Sequence, residues 1–402
     1  MVLAHILTGL LASLAVAATF TQTPTGAYST YAADSVISRG QGNGLTNGKP
    51  QVNYPDGEFQ WALRLLFERG GNQSYFGWIQ AGVNRIVSST GQISSDYNLS
   101  AYTLDYLRLG PSFIYLYQMT GEQKYKTAAD TFRSQLNTHP RTAQGQFWHK
   151  LIYPNQGWLD GIYMGEPFYA AYTAAFQPTN QTAWDDIHLQ FSLMYENTVQ
   201  LKSTNSHNTT STGLLYHGYD HSHVQSWASP DRGHSPEVWD RALGWYSMAL
   251  VDVLGLVPAS QVALRSTLAS QLQSIADNLV KQADNVTNAW WLVLTQPGRS
   301  GNYFESSGGC MFIYAMLRGV RLGYIKDTGG SIIAAAQRAF GYAISNWVIP
   351  KSNGTMDFNN TVIVGSLQPG NDYEYYISQQ IDINDLKGVA AFVLASYEIE
   401  ML

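Results

Sequence analysis

From Tyr54 to the C-terminus, apolar positions repeat at three- and four-residue spacing in blocks at 56–69, 75–88, 105–119, 123–137, 161–176, 183–201, 238–255, 260–281, 306–323, 329–346 and 384–401. That period belongs to a helix with one buried stripe, so the spacing predicts eleven helices. The connections carry turn formers such as Thr120-Gly121-Glu122, Gln177-Pro178-Thr179-Asn180 and Asp327-Thr328-Gly329-Gly330. Strand-like alternation is sparse, with Thr361 to Gly365 the best stretch, which disfavours a parallel α/β architecture. No linker interrupts the series, and helix pairs recur at roughly thirty residues or more, as in hairpins stacked into a ring or solenoid. A ring of six hairpins needs about twelve helices. A single all-α toroid over 54–402 is the fold the pattern favours.

The segments before Tyr54 read differently. Residues 19–53 are rich in Gly, Thr, Ser and Asn with little apolar periodicity, and are expected to form an extended arm. Its glycines at 40, 42 and 44 resemble a nucleotide loop only superficially, because no clear strand precedes them. Residues 1–18 hold an uncharged apolar run from Ile6 to Ala18 that ends in small residues, the pattern of a secretory signal peptide. The run is too short to span a bilayer, and no later apolar stretch is long enough. Seven Asn-x-Ser/Thr sequons begin at Asn72, Asn98, Asn180, Asn208, Asn285, Asn353 and Asn359, so a secreted, extracellular protein carrying N-glycans is expected. Cys310 stands alone in an apolar helical stretch and closes no internal disulfide, leaving stability to a large core.

Composition narrows the function. Aromatic and charged residues each make up 13% of the 402 residues, half the usual share of charge, which excludes a disordered chain. A net charge of −6 with no basic run argues against nucleic acid as a partner. Aromatics concentrate in 141–172, where eight of 32 residues are Phe, Trp or Tyr. Aromatic faces suit sugar rings, and a carboxyl among them has its charged form disfavoured. Asp160, between Trp158 and Tyr163, is therefore a candidate general acid, although its place at the mouth of a helix equally suits an N-cap. Asp105 begins another helix and either caps it or orients a sugar hydroxyl. His217, His221 and His223 cluster, but Gly218 to Asp220 looks like a turn, which disfavours a metal site. Arg241 and Trp245 lie four apart on one predicted helix face. They offer either a carboxylate-binding fork beside a stacking surface or an ordinary salt bridge beside a core Trp.

Four ordered motifs then carry a resemblance. They are Phe147-Trp-His-Lys followed by Trp158-Leu-Asp-Gly-Ile-Tyr-Met-Gly-Glu-Pro-Phe168; Leu215-Tyr-His-Gly-Tyr-Asp220; Trp239-Asp-Arg-Ala-Leu-Gly-Trp-Tyr246; and Asp372-Tyr-Glu-Tyr-Tyr376 with Lys387-Gly-Val-Ala-Ala-Phe392. Together they resemble glycoside hydrolase family 105, the unsaturated rhamnogalacturonyl hydrolases. The resemblance implies an (α/α)6 barrel acting on oligosaccharides that end in a 4,5-unsaturated uronic acid. It places the family's catalytic aspartate on Asp160 and its second aspartate on Asp105. The substrate-binding positions fall on His217, Arg241 and Trp245, with Trp158 and Tyr54 as further stacking surfaces. Arg241, with His217 as second donor, is the expected holder of the substrate carboxylate. Asp240, where many relatives have Gly, is expected to add negative charge beside it. The implied chemistry requires no metal and no cofactor, and a monomer is expected. Two other functions compete: an unsaturated glucuronyl hydrolase acting on glycosaminoglycan products, and a non-catalytic secreted carbohydrate-binding protein.

Overall fold

A computed structural model describes residues 27–201, 211–367 and 372–402; the signal segment and Asn208 lie outside them. The helices in chain order are α1 (Tyr28–Ser38), α2 (Tyr54–Gly70), α3 (Gln73–Ile86), α4 (Gly110–Thr120), α5 (Gln123–Thr138), α6 (Leu159–Phe176), α7 (Gln181–Thr198), α8 (Asp240–Leu254), α9 (Val262–Gln282), α10 (Ser306–Arg321), α11 (Ser331–Asn346), α12 (Tyr373–Ser378) and α13 (Leu386–Ile399). A 3-10 helix, Leu104–Leu109, leads directly into α4. All eleven periodic blocks correspond to helices or to this 3-10/α4 unit. The apolar stretch at 361–365 supplies only the two-residue strand Thr361–Val362.

Two concentric rings result. Helices α2, α4, α6, α8, α10 and α13 pack side by side as an inner ring, and α3, α5, α7, α9 and α11 each return along the outside. The inner helices are the more buried: every residue of α8 lies in the interior, whereas α9 buries a stripe at Leu264, Leu268, Gln271, Leu272, Ile275, Ala276 and Leu279. Such a stripe is what 3.6-residue periodicity produces when one face meets an inner helix.

The sixth outer helix is α1, and it lies within the segment expected to be an extended arm. It packs against α13, the last inner helix, and so joins the two ends of the chain. Its buried residues include Tyr31, Ala32, Ala33 and Val36, while Ser29 and Ser35 are also interior. Small and hydroxylated residues are thus part of its inward surface, and apolar periodicity does not reveal them. The seam is polar as well as apolar: Ser29 donates its backbone N–H and its hydroxyl to Glu400 at 2.9 and 2.6 Å. Arg69 pairs with the same carboxylate at 2.8 Å. The domain therefore begins before Tyr54.

Local sequence defines the inner-helix starts. Asn53 caps α2 by accepting the Asp56 N–H, Glu305 caps α10 through Gly308, and Asp385 caps α13 through Lys387. Asn72, Asn98 and Asn180 cap helices through their side-chain oxygens, so three of the sequons coincide with capping turns. The N-terminal ends of the inner helices converge: the Tyr54 hydroxyl lies within electrostatic reach of Asp105, Arg241, Asp385 and Asp160.

His139, at the end of α5, ties two segments of that face together. Gln135 donates one amide hydrogen to the Thr103 carbonyl at 2.9 Å and approaches His139 Nδ1 at 3.4 Å, and His139 Nε2 faces the Trp148 carbonyl at 2.8 Å. With Nδ1 accepting, Nε2 carries the hydrogen; a proton on Nδ1 would oppose the Gln135 donor. Burial pushes the imidazole down to about 4. The unfolded chain then takes a proton near pH 6.5 that the folded chain refuses until about pH 4, so stability falls as pH drops through this window. This one group is expected to cost on the order of 3 kcal/mol at the acid end. Thermal melts from pH 7 to pH 4 should show the decline, and His139→Gln should flatten it; an unchanged slope in the variant would refute the assignment.

Candidate active site

A two-strand ribbon builds the centre of the convergent face. Gln156–Trp158 pairs antiparallel with Gly218–Asp220, with Trp158 opposite Gly218. A β-carbon on Gly218 would sit 2.5 Å from the Gly157 carbonyl oxygen, so only glycine allows this approach. The ladder continues from the Leu159 N–H to the His217 carbonyl at 3.0 Å, which sets the next residue, Asp160, beside the His217 ring.

Asp160 does not cap α6. The capping position is Trp158, which makes no side-chain cap bond. Asp160 Oδ2 instead lies 3.0 Å from His217 Nε2, and His217 Nδ1 lies 2.8 Å from the Tyr376 hydroxyl. His217 is fully buried, whereas the Asp160 side chain retains 14% exposure. Burial holds the Tyr376 hydroxyl well above the ordinary tyrosine range, so it stays neutral. The chain from Tyr376 through His217 to Asp160 has one consistent hydrogen-bond pattern, in which Tyr376 donates to Nδ1 and Nε2–H donates to Asp160 Oδ2. A proton on the other oxygen, Oδ1, leaves both bonds in place, so the carboxyl can gain or lose a proton there without stranding a buried donor or acceptor.

Asp105 sits in the first turn of the 3-10 helix and does not cap it either. Its Oδ2 is 2.5 Å from Lys150 Nζ, and its Oδ1 is 3.7 Å from His149 Nε2. Although burial opposes the charge, the Asp105 carboxylate raises the Lys150 ammonium above its ordinary value, and Asp160 adds in the same direction. Burial, reinforced by Lys150, holds the His149 imidazole well below its ordinary value. His149 and Lys150 thus join Asp105 in the site and are additions to the residues that sequence reasoning placed there. Their signal was present, as the His-Lys of the first motif, but neither residue type in isolation points to a role. Tyr376 was equally visible within the fourth motif, and only the fold brings it to His217.

Asp105, Lys150 and Tyr54 line an open cavity of about 360 Å³ together with Asn53, Thr103 and the exposed Ile152. Trp158 and Trp245 stand behind these residues. Trp158 is buried and stacks on His149 at 4.5 Å and Tyr153 at 4.7 Å. Trp245 is also buried, stacked on Tyr163 at 4.8 Å and meeting Tyr54 edge-on at 6.0 Å. Of the three expected stacking surfaces, Tyr54 alone lines the cavity, while the tryptophans brace it.

Arg241 departs from its expected role. It is 1% exposed, with Nε donating to Ser307 at 2.6 Å, Nη2 to Glu305 at 3.2 Å and Nη1 to the Ile363 carbonyl at 3.4 Å. Nη2 also meets the Val362 carbonyl. Every nitrogen of the fork is engaged within the protein, so the guanidinium binds α10 and the 361–363 segment to α8, and the salt-bridge alternative describes it. His217 likewise faces Asp160 and Tyr376 instead of a substrate carboxylate. Asp240 is buried against Gly308 and accepts the Arg241 N–H at 2.7 Å. Burial and the neighbouring Glu305 hold it well above the ordinary aspartate range, so it does not add the exposed charge expected of it.

His223 Nδ1 lies 2.9 Å from the Ser229 carbonyl oxygen, and the backbone from Ser222 to Gln225 is held by the Asp220 carboxylate, which accepts the N–H groups of Ser222, Val224 and Gln225. Among the described residues no group of His, Cys, Asp and Glu is arranged to hold a metal ion. No described helix is long and apolar enough to cross a membrane.

Comparison with known proteins agrees with this fold. The family model for Glycosyl Hydrolase Family 88 matches residues 28–402, a span that starts at α1. A glycoside hydrolase of family 105 from C. acetobutylicum is 35% identical, with a TM-score of 0.84 over 93% of this chain and 99% of that one. A possible family 105 member from Salmonella enterica superposes with a TM-score of 0.73 at 18% identity, over 92% of this chain and 93% of that one. Protein Atu3128 of Agrobacterium fabrum is 32% identical over 200 residues, 47% of this chain and 83% of that protein. The chain therefore belongs to the glycoside hydrolases gathered by the family 88 model, and its assignment among them is family 105.

Proposed function

We propose that the enzyme removes a 4,5-unsaturated galacturonyl residue from the non-reducing end of rhamnogalacturonan lyase products. The observation that carries the reading is the Asp160–His217–Tyr376 chain, which suits one carboxyl to act first as acid and then as base. Asp160 donates its proton to C4 as the C4=C5 electron pair forms the new C–H bond. Positive charge then develops on C5 and the ring oxygen, where carboxylate oxygens stabilise it. Water adds to C5 and returns a proton to Asp160. The hemiketal opens and releases the neighbouring sugar, and no group of the protein forms a covalent bond to the substrate.

The uronate carboxylate meets a net charge of −6, so its attraction must be local. Lys150 borders the cavity, and the inner helices direct their N-terminal ends toward it. Lys150 is therefore the better holder of the carboxylate than Arg241, whose fork is engaged. Asp105 keeps the ammonium in place and is available to a sugar hydroxyl.

We also read the enzyme as secreted, from the apolar N-terminus and the sequons. Asn72, Asn98, Asn285 and Asn353 are exposed. Protein secreted from a eukaryotic host should lose mass on enzymatic deglycosylation, and an unchanged mass would remove the glycan part of this reading.

The substrate is tested by incubation with lyase digests of rhamnogalacturonan, homogalacturonan and chondroitin while following the ultraviolet absorbance of the conjugated enol. A fall on the first alone is expected; a fall on chondroitin products alone would make the enzyme a glucuronyl hydrolase. Asp160→Asn should cut turnover by about 10² to 10⁴-fold with little change in melting temperature. A carbohydrate-binding protein would show no turnover to lose.

Tyr376→Phe leaves the packing in place but removes the oxygen on His217 Nδ1. It should lower kcat by roughly tenfold, equivalent to about 1.4 kcal/mol, with KM nearly unchanged. A rise in KM at constant kcat would instead make Tyr376 a binding residue.

A further inference from the structure

The cavity at Asp105 and Lys150 has an apolar mouth for which the proton transfers have no use. The Asp160, Asp105 and Lys150 side chains retain 14%, 19% and 26% exposure, whereas Ile152, which lines the same cavity, is 72% exposed. The ring that Asp160 attacks is the terminal one, so the sugar that leaves lies outward of it, on the side of Ile152.

Ile152 is fixed in that place by backbone hydrogen bonds. Tyr102 takes the left-handed conformation at φ 40°, and its carbonyl accepts the Leu151 N–H at 3.1 Å. Thr103 pairs with Lys150, and the Leu104 N–H donates to the His149 carbonyl at 3.1 Å. The Lys150 carbonyl accepts the Tyr153 N–H at 2.9 Å, closing a tight turn with Leu151 and Ile152 at its two central positions. A β-branched side chain on a fixed turn gives up little freedom when it meets a ligand. Val52 and Ala101 are the other aliphatic residues that line the cavity.

The charges of the cavity admit one carboxylate. Among the described residues that line it, Lys150 is the single cation and Asp105 the single anion, 2.5 Å apart. The uronate carboxylate of the terminal residue takes the ammonium hydrogens that Asp105 leaves free. A second carboxylate, on the next sugar, would meet Ile152 and the Asp105 charge with no cation to pair it. A neutral sugar avoids that penalty. A 6-deoxy sugar also carries a methyl group on C5 where galacturonate carries its carboxylate, and an exposed isoleucine gains by removing a methyl from water.

We infer that Ile152 selects the leaving sugar, taking the methyl group of a neutral 6-deoxy sugar and turning away an acidic sugar at the same place. This role rests on the proposed removal of an unsaturated uronyl residue. It gives the second ring a contact that Asp160 and Lys150, engaged with the first, do not supply.

Two disaccharides test the role, each led by the unsaturated galacturonyl residue, one ending in rhamnose and the other in galacturonate. The native enzyme should favour the first by roughly tenfold or more in kcat/KM. Ile152→Ser should lower kcat/KM on the rhamnose disaccharide about fivefold and leave the galacturonate disaccharide unchanged. Ile152→Lys should raise kcat/KM on the galacturonate disaccharide about fivefold, a gain that about 0.5 M sodium chloride removes. Both variants should melt with the native protein, since Ile152 is exposed. Equal turnover of the two disaccharides by the native enzyme would overturn the role of Ile152 while leaving the reaction in place. So would variants that change both disaccharides by one factor, or neither. Turnover of neither disaccharide by the native enzyme would overturn the reaction itself, and the selection with it.

Discussion

Closure of the ring is the constraint on which the rest depends. Five outer helices follow their inner partners in sequence, whereas the sixth inner helix, α13, is covered by α1, which comes before the first inner helix in the chain. The Ser29–Glu400–Arg69 contacts hold that seam together. Once the ring closes, the inner helices present their N-terminal ends on one side and their C-terminal ends on the other. The first end receives the loops, caps and ribbon that carry chemistry. The second end is left with the ends of helices and the arginines and carboxylates that lie among them.

Burying polar groups in so aromatic a ring imposes a second requirement, that each find a partner. The Arg241–Glu305 pair meets it within the protein: one carboxylate caps α10, accepts Arg241 and also accepts the Val362 N–H at 3.0 Å. A guanidinium satisfied in this way is a joint between helices and has no free edge for a substrate. The Asp160–His217–Tyr376 chain meets the same requirement differently, because one end, the Asp160 carboxyl, has an oxygen left over and remains open to solvent. Position on the ring alone does not separate a structural polar network from a chemical one; the presence of an open end does.

Local periodicity was enough to read eleven helices and the toroid they form, because each helix buries one stripe against the next layer. Its failure at α1 has a local cause. The helix Tyr-Ser-Thr-Tyr-Ala-Ala-Asp-Ser-Val-Ile-Ser buries serine and alanine against α13, so the stripe lacks large apolar residues. Asp160 and Asp105 were visible as carboxyls at helix mouths, but on that information Asp160 was equally a cap or an acid, and Asp105 either a cap or a group orienting a sugar hydroxyl. The fold excludes the caps, since neither side chain accepts a capping N–H.

By itself, then, the sequence determined the helical class, the approximate positions of the inner and outer helices, and the aromatic segment in which the two aspartates lie. Tertiary structure decided which side chains work together. Asp160 and His217 are 57 residues apart, and His217 and Tyr376 are 159 apart. Hydrophobic periodicity acts over a few residues and is written locally. A hydrogen-bonded chain between distant segments exists only after the ring has closed and brought their ends to one face.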